Sequence, residues 1–430
     1  MASNMRFLVA GASACNLASS KLVVTSFNST YFVRFNSQSF NITSSWSPMS
    51  SVDFCASREA KVKHKWMEYQ GVNNWDGLLD PLDEDLKSEI LRYGSFVQAA
   101  YRSFDFNTSS PGYGSCKFER EMVLTRCGLE NCGYKVTKNL RATCGVQMPN
   151  WIERAPSWVT TRSSWIGYVA VCDDKDVIAR LGRRDVVIAI RGTATCLEWI
   201  ENLRTTLAPL QKCHVDHQLM VETGFLSLYM SQTDTCPSLR DTLKDEVARI
   251  IEMYGDEPLS ITITGHSLGA ALGTLAAHDI NSSLKDLPLI TVISFGGPRV
   301  GNNCFSKSLE TDGIRILRIV NSNDVITKIP GFIINHSSKR NTLVPYGDGM
   351  AGWIRKRVHD TKWLYADVGK ELRLCCNNPP SFNVGNIATC HDLKTYLELV
   401  DGIASSTCPL KDKAKKVLHG TEHEKRLLFR

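Results

Sequence analysis

The sequence has 430 residues, of which 43% are hydrophobic and 22% charged, and its formal net charge is +6 at pH 7. That charge is modest for the length, and no basic block is interleaved with aromatic residues, so the composition gives no indication of nucleic-acid binding while suiting an anionic lipid surface. No uninterrupted apolar run reaches the about 18 residues of a transmembrane helix, which predicts a soluble protein of one large domain or two ordinary ones. The 15 cysteines are odd in number and lack the spacing of zinc sites, so we expect free thiols in a reducing compartment.

The amino-terminal segment has the composition of a targeting sequence. Its first acidic residue is Asp53, which 13 serines and only three basic residues precede, namely Arg6, Lys21 and Arg34. A Ser-rich, acid-free and weakly basic segment is typical of an organelle transit peptide, which we expect over residues 1–60. The alternative is a secretory signal, because residues 7–14 are apolar and because the chain carries five Asn-x-Ser/Thr sequons, at Asn28, Asn41, Asn107, Asn281 and Asn335. The serine tract continues past residue 20, where a secretory signal would have ended, and this favours a plastid or mitochondrial destination.

The first predicted element of the remaining domain, residues 61–430, is a helix over residues 81–101. Pro81 suits a first helical turn, and the acidic residues 83–85 suit the positive end of the helix dipole. Apolar residues then recur at helical spacing, at Ile90, Leu91, Phe96 and Val97. Residues 105–160 hold Gly, Cys and Pro without a clear period, which predicts loops with short elements.

From residue 165 onward, strand-like runs alternate with helical patterns. Five strands are predicted, over residues 165–171, 185–190, 259–264, 289–295 and 314–320, with helices over 238–254 and 268–279. This alternation favours a mostly parallel central sheet flanked by helices on both faces. The charged tail, residues 411–430, is predicted to be a solvated helix or disordered.

The pentapeptide Gly265-His266-Ser267-Leu268-Gly269 fits the G-x-S-x-G pattern of serine hydrolases. A chance match is common, but a β-rich run leads into this one and a run of small residues follows it. A nucleophilic serine on a sharp strand-to-helix turn needs glycines beside it, because larger side chains would clash there. The start of the helix also offers unpaired N–H groups where an oxyanion forms. We therefore predict that Ser267 is a nucleophile, rather than part of a structural Gly-rich turn.

Serine needs a histidine base that a carboxylate orients, and in α/β hydrolases the order is serine, acid, histidine. The predicted strand over residues 314–320 runs into Asn321-Ser322-Asn323-Asp324. Asp324 thus follows the carboxyl end of a strand, where the sites of parallel sheets gather. Asp312 precedes the same strand and lies at the wrong end. We predict Asp324 as the acid, with an ordinary Asx turn as the alternative.

Five histidines follow Asp324, and spacing alone leaves two of them as candidate bases. His336 comes too soon after Asp324, and His419 and His423 lie in the charged tail. His391 opens an amphipathic stretch at a loop-to-helix junction, whereas His359 lies in a charged stretch that suits a solvated face. This comparison favours His391 without excluding His359. His266, beside the nucleophile, is expected to pack beneath the turn rather than to act as a base.

These residues together resemble a known family. The run from Gly265 to Gly269, the run Phe295-Gly296-Gly297-Pro298-Arg299-Val300-Gly301-Asn302, and Asn323-Asp324-Val325 with Ile329-Pro330 resemble the class 3 lipases. More narrowly, Trp75-Asp76-Gly77-Leu78-Leu79-Asp80-Pro81-Leu82 and Cys390-His391-Asp392-Leu393-Lys394-Thr395-Tyr396-Leu397 resemble the plant class I phospholipases A1, which are plastid-targeted enzymes. The resemblance covers residues 66–405 and selects His391 over His359.

The resemblance implies an α/β-hydrolase fold and a serine acylhydrolase that releases fatty acid from the sn-1 position of phosphatidylcholine and, variably, from galactolipids. It implies an oxyanion hole in which Leu268 and Thr193 supply backbone N–H groups. The expected partners are lipid substrates at a membrane surface, and no metal or cofactor is expected. The alternatives are a triacylglycerol lipase, a general carboxylesterase, or a non-catalytic lipase-like signalling protein.

A further expectation concerns access to the site. Residues 206–219 combine an apolar stretch with polar residues, and fungal relatives carry a lid near this region. Such a segment would cover the site in water and open on a lipid surface. The alternative is a plain surface loop.

Overall fold

A seven-stranded sheet lies at the centre of the computed structural model, which describes residues 56–143, 163–193, 206–210, 218–330, 365–375 and 384–403. The nine described strands are β1 Tyr134–Thr143, β2 Ser163–Cys172, β3 Arg184–Ile190, β4 Leu207–Pro209, β5 Met220–Glu222, β6 Leu259–His266, β7 Leu289–Phe295, β8 Arg315–Asn321 and β9 Lys370–Leu374. The sheet order is β1-β2-β3-β6-β7-β8-β9, and β4 pairs with β5 in a separate small sheet.

The central sheet is parallel from β3 to β9 and antiparallel only where β1 pairs with β2 and β2 with β3. In register, Ile190 of β3 lies opposite Gly265 of β6, and His266 lies opposite Phe295 of β7. The carboxyl ends of three adjacent parallel strands therefore meet around residue 266. The prediction of a mostly parallel sheet is confirmed.

Ten helices are described, namely α1 Ala56–Tyr69, α2 Glu84–Ser103, α3 Val123–Arg126, α4 Lys175–Leu181, α5 Thr223–Met230, α6 Leu239–Tyr254, α7 Leu268–Ser283, α8 Asn303–Thr311, α9 Val384–His391 and α10 Leu393–Asp401. None of these described helices combines the length and the apolar character that crossing a membrane requires. Two short 3-10 turns, Arg120–Met122 and Ile326–Lys328, complete the set of described helical elements.

Apolar clusters cover both faces of the sheet. On one face, helices α5 to α8 pack against alternate strand residues such as Ile263 of β6 and Val292 of β7. On the other face, α2 and α10 pack against the intervening residues, such as Phe295 of β7 and Ile319 of β8. Because both faces of each central parallel strand are buried, these strands read as continuous runs of β-branched and apolar residues.

The helix predicted over residues 81–101 begins at Glu84, three residues later than expected. The side chain of Asp83 caps it by accepting hydrogen bonds from the backbone N–H groups of Asp85 and Leu86. A carboxylate that caps the first N–H groups also meets the positive end of the helix dipole. Asp83 therefore sets the start of α2, and Pro81 lies outside it.

Four of the described strands were not predicted: the short pair β4 and β5, and the two edge strands of the central sheet, β1 and β9. Strand β1, over Tyr134–Thr143, falls in the stretch expected to hold loops with short elements, so that expectation is wrong for these ten residues. Its exposed and half-exposed positions carry polar side chains, since it is an edge strand that pairs only with β2. At the other edge, β9 has two buried positions, at Leu372 and Leu374. Short or polar edge strands carry too few apolar residues to show a period.

Several expectations lie wholly or largely outside the described residues. These are the transit peptide over residues 1–60, the charged tail over residues 411–430, and the centre of the expected lid, residues 211–217. The flanks of that expected lid are described: Leu207–Pro209 pairs antiparallel with Met220–Glu222. Seven cysteines of the described ranges are free thiols, namely Cys116, Cys127, Cys132, Cys172, Cys236, Cys304 and Cys375.

Candidate active site

Ser267 occupies a single-residue turn between β6, which ends at His266, and α7, which begins at Leu268. Its backbone angles are φ 58° and ψ −125°, a region that residues with a Cβ rarely adopt. The turn is held by a hydrogen bond from the Ser267 N–H to the Phe295 carbonyl, at 3.0 Å. Ser267 therefore lies at the carboxyl edge of the sheet, and its backbone conformation sets the direction of its side chain.

The two glycines of the pentapeptide are required by backbone contacts. A Cβ on Gly265 would lie 2.5 Å from the carbonyl carbon of Gly269. A Cβ on Gly269 would lie 2.6 Å from the carbonyl oxygen of Arg191, in the segment that follows β3. Because both contacts are with backbone, no side-chain rotation relieves them. The turn around Ser267 therefore closes tightly against both α7 and the end of β3.

The segment Arg191–Thr193 runs alongside this turn. A Cβ on Gly192 would lie 3.0 Å from Cβ of Ser267, which shows how closely the segment approaches the serine. Thr193 follows at once, and its hydroxyl oxygen is buried without a hydrogen-bond partner in the described part of the chain. Leu268 is the first residue of α7, where a helix leaves its N–H groups without intrahelical partners. The structure thus brings the segment Arg191–Thr193 and the start of α7 together beside Ser267.

Asp324 and His391 form a direct hydrogen bond. Nδ1 of His391 lies 2.6 Å from Oδ2 of Asp324, and both side chains are buried. Asp324 follows β8, as predicted, while His391 ends α9 and stands directly before Asp392, the N-cap of α10. The expected loop-to-helix junction is therefore a junction between two helices. Because the carboxylate oxygen accepts, Nδ1 carries the proton in the neutral imidazole, and Nε2 is left as its basic nitrogen.

Other contacts fix the Asp324 carboxylate. Its Oδ1 accepts from the N–H of Ile326 at 2.9 Å, and its Oδ2 also accepts from the hydroxyl of Tyr396 at 2.6 Å. Burial raises the pKa of the Tyr396 phenol well above its ordinary value, and the Asp324 carboxylate raises it further, so this hydroxyl is a donor at any physiological pH. Tyr396 was not singled out from the sequence, although it lies within the run that resembles the plant enzymes.

His266 connects the serine turn to the histidine segment. Its ring centroid is 4.8 Å from that of His391, and its Nε2 lies 2.7 Å from the His391 carbonyl oxygen. Burial lowers the pKa of His266 well below its ordinary value, and nearby His391 lowers it further. Both of its ring nitrogens have hydrogen-bond partners, since Nδ1 lies 2.7 Å from the Tyr101 hydroxyl. His266 therefore stays neutral and packs under the turn.

The Ser267 hydroxyl is buried and makes no hydrogen bond to any residue of the described ranges. Hydrogen bonds of a catalytic serine are often long before substrate binds and shorten in the reacting complex. Among the other candidates for the acid and base, Asp312 does not join this group. Asp312 ends α8 and accepts from the Ser308 hydroxyl at 3.0 Å, while His336, His359, His419 and His423 lie outside the described residues. Within the described ranges, no cluster of three or more His, Cys, Asp or Glu side chains has the arrangement of a metal site.

Known proteins resemble this chain over most of its length. Residues 187–333 match the model of the family described as Lipase (class 3). The Arabidopsis thaliana protein named Phospholipase A(1) DAD1, chloroplastic is 59% identical over 84% of this chain and 81% of its own. Galactolipase DONGLE, chloroplastic, also from Arabidopsis thaliana, is 40% identical over 78% of this chain and 69% of its own.

Among solved structures, M37 lipase aligns with a TM-score of 0.46 at 19% identity, over 79% of this chain and 99% of that one. The family follows from the sequence relatives, since the phospholipase A(1) from Arabidopsis thaliana is 59% identical over 84% of this chain. This chain therefore belongs to the class 3 lipases, within their group of plant phospholipases A1, and is a carboxylic ester hydrolase of the α/β-hydrolase fold.

Proposed function

We propose that this chain is a plastid phospholipase A1 in which Ser267, His391 and Asp324 cleave the sn-1 acyl ester of phosphatidylcholine and of galactolipids. The observation that carries the proposal is the 2.6 Å hydrogen bond between His391 and Asp324, beside a serine with φ 58° at the carboxyl edge of the sheet. The printed names of the two Arabidopsis relatives, a phospholipase A(1) and a galactolipase, support the substrate class.

In the first half of the reaction, the Ser267 oxygen attacks the acyl carbonyl carbon and passes its proton to Nε2 of His391. The tetrahedral intermediate collapses when the bond to the glycerol oxygen breaks, and that oxygen takes the proton back from His391. The products of this half are a lysolipid and an acyl ester on Ser267. A water molecule then attacks the acyl carbon with the same proton path, which releases the fatty acid and restores the serine.

Two further roles complete the mechanism. Asp324 keeps the proton of neutral His391 on Nδ1 and stabilises the imidazolium that forms while His391 holds the proton of Ser267. The backbone N–H groups of Thr193 and Leu268 stabilise the oxyanion, each by about 3 kcal/mol. These two N–H groups act only as negative charge develops on the substrate oxygen, so they lower the barrier rather than strengthen substrate binding.

The enzyme works on lipids at a membrane surface to which it binds peripherally, without metal, cofactor or nucleic acid. Residues 1–60 serve as the transit peptide, and residues 61–430 form the lipase domain with a helical amino-terminal extension and a charged carboxyl-terminal tail. The word chloroplastic in the names of both Arabidopsis relatives supports a plastid location.

The decisive experiment uses phosphatidylcholine with different acyl chains at its two positions, presented alongside monogalactosyldiacylglycerol and trioleoylglycerol. We expect the purified chain to release the sn-1 fatty acid from the first two, and Ser267→Ala to release none. A fluorophosphonate probe is expected to label the parent chain but not the variant. Release from trioleoylglycerol alone would favour a triacylglycerol lipase, and undiminished release by Ser267→Ala would refute the proposed nucleophile.

A further inference from the structure

A chain of hydrogen bonds passes behind Ser267 and is not used by the mechanism above. The Gly192 N–H lies 2.8 Å from the Tyr101 hydroxyl oxygen, which lies 2.7 Å from Nδ1 of His266. Nε2 of His266 then lies 2.7 Å from the carbonyl oxygen of His391. These hydrogen bonds thus connect the segment after β3, helix α2, the serine turn and the segment that carries the base.

The groups at the two ends of this series fix which atom donates in each of the three hydrogen bonds. The His391 carbonyl only accepts, so Nε2 of His266 carries the ring proton. Nδ1 of neutral His266 is then the bare nitrogen, and the Tyr101 hydroxyl donates to it. The oxygen of Tyr101 in turn accepts from the Gly192 N–H, which only donates. Burial keeps His266 neutral by lowering its pKa, so one tautomer satisfies all three links.

At its first end, this series of hydrogen bonds holds Gly192, the residue before a proposed oxyanion donor, and Arg191 holds the peptide that presents that donor. The N–H of Gly192 bonds Tyr101, and the carbonyl of Gly192 accepts from Nη1 of Arg191 at 2.6 Å. In a trans peptide, the C=O of one residue and the N–H of the next point in opposite directions. Fixing the Gly192 carbonyl therefore fixes the direction of the Thr193 N–H. A Cβ on Gly192 would lie 2.5 Å from the Tyr101 oxygen, so the fit is also steric.

At its other end, the chain holds the backbone of the base. The His391 carbonyl belongs to the residue whose imidazole meets Asp324, so its position governs where that ring is placed. His266 immediately precedes Ser267 and contacts this carbonyl directly. The distance between the serine turn and the base is thus set by one rigid aromatic ring, which has no freedom beyond two side-chain torsions.

From this geometry we infer that Tyr101 and His266 are positioning residues for the acylation step, an inference that rests on the proposed function. Tyr101 and His266 hold Gly192, which precedes Thr193, and the backbone of His391 in register around Ser267 before substrate binds. Preset positions of donor and base lower the barrier because no reorganisation is needed when charge develops. The proposed mechanism gives neither residue a contact with the substrate, so the inference predicts an effect on kcat with little change in KM.

The first test is Tyr101→Phe, which keeps the ring and removes the hydroxyl that serves both Gly192 and His266. We expect kcat for acyl release, and the rate of fluorophosphonate labelling, to fall about ten- to hundredfold, while KM stays within about twofold. The matched control is Tyr168→Phe. Tyr168 is also buried, and its hydroxyl donates to the Phe96 carbonyl of α2 at 2.9 Å, away from the serine turn. The Tyr168→Phe variant should lose about as much stability as Tyr101→Phe and retain the kcat of the parent.

The second test separates the two halves of the chain at His266. An Asn side chain places an acceptor near the position of Nδ1, and a Gln side chain places a donor near that of Nε2. We expect His266→Asn to keep the link to Tyr101 and His266→Gln to keep the link to the His391 carbonyl, so each retains part of the activity and His266→Ala retains the least. Equal activity in all three variants would overturn the inference.

A spectroscopic measurement tests the chain without relying on turnover. With ¹⁵N-labelled histidine, the signal that the parent shows and His266→Asn lacks belongs to His266. In the parent, this signal should show a neutral ring with its proton on Nε2, unchanged from pH 5 to pH 9. A proton on Nδ1, or a ring that titrates in this range, would overturn the inference. If the parent chain releases no acyl group, the proposed function fails instead. If the parent is active and Tyr101→Phe equals Tyr168→Phe in kcat, only the positioning role fails.

Discussion

The Tyr396 hydroxyl donates to Oδ2 of Asp324 at 2.6 Å, and this is the same oxygen atom that lies 2.6 Å from Nδ1 of His391. Two donors therefore converge on one carboxylate oxygen, while the Ile326 N–H binds the other. These three donors fix the orientation of a carboxylate that is fully buried. The phenol thus helps to hold Asp324 against His391, and it comes from the helix that begins two residues after the histidine.

Changing Tyr396 to Phe should therefore weaken catalysis without preventing it. The buried carboxylate loses one donor, and the Asn321 N–H loses the phenolic oxygen to which it donates at 3.2 Å. We expect kcat to fall about tenfold and the free energy of unfolding to fall by about 2 kcal/mol. Steady-state kinetics and urea denaturation measure the two effects. Tyr229→Phe is the control, since Tyr229 donates to Asp279 at 3.2 Å in another part of the fold and should keep full activity.

Changing Asp324 to Asn should be far more severe. An amide that turns its NH₂ group toward Nδ1 selects the other tautomer of His391, with the proton on Nε2, where it cannot receive the proton of Ser267. We expect a loss in kcat of about 10⁴-fold with the fold retained. Asp312→Asn changes a carboxylate at the opposite end of β8 and should leave kcat as it is. Comparable losses in the two variants would contradict the assignment of Asp324.

Glycine 269 offers a steric test of the serine turn. A Cβ at this position meets backbone oxygens at the end of β3, so Gly269→Ala has to displace either the turn or the segment Arg191–Thr193. We expect the free energy of unfolding to fall by about 1–3 kcal/mol. A displacement of about 1 Å should lower kcat about a hundredfold. In Gly273→Ala, one turn further along α7, the new Cβ meets only the Ile263 side chain, at 2.9 Å, so activity should survive.

Asp185, at the start of β3, makes a separate prediction about stability in acid. It is fully buried and accepts from Arg92 at 3.0 Å, Tyr134 at 2.8 Å and Ser260 at 2.9 Å. Burial alone would raise the pKa of this carboxyl, but the guanidinium groups of Arg183 and Arg92 outweigh it and hold the pKa below its ordinary value. A pKa lowered by folding adds stability above the unfolded-state value of about 3.9, and this stability is lost as the pH falls below it.

We therefore expect Asp185→Asn to lose about 3–5 kcal/mol of unfolding free energy at pH 7, because buried Arg183 and half-buried Arg92 lose one of their two carboxylate partners and keep Glu89. The difference between variant and parent should shrink as the pH falls from 5 toward 3. Denaturant titrations at pH 7, 5, 4 and 3 measure it. A difference that stays constant over this range would show that the carboxyl has the same pKa in the folded and unfolded chains.

The elements that the sequence predicted correctly are those whose formation depends mainly on neighbouring residues. The strand before Ser267 and the position of Asp324 after β8 follow from runs of β-branched residues that end in polar ones. The base did not follow from spacing, because the path of the chain between Asp324 and His391 depends on contacts with the sheet. Only the resemblance of the run around His391 separated it from His359.

The two tyrosines that support the site had no local signal of that kind. Tyr101 lies in the last turn of an amphipathic helix, where an aromatic residue usually indicates only packing into the core. Its hydrogen-bond partner His266 is 165 positions away in the sequence. Tyr396 lies five residues after His391, and nothing in its spacing shows that its hydroxyl meets Asp324. Long-range pairs such as these are fixed by tertiary packing, which a single sequence does not display.

The position of His391 also sets an order of assembly. Synthesis proceeds from the amino terminus, so Ser267 and Asp324 emerge from the ribosome well before the base does. Helix α10 covers the second face of the sheet with Tyr396, Leu397 and Val400, and its docking brings His391 to the carboxylate. On the proposed mechanism, a partly synthesised chain thus contains the serine without its base. The lipase is in this way inert until helices α9 and α10 have folded into place.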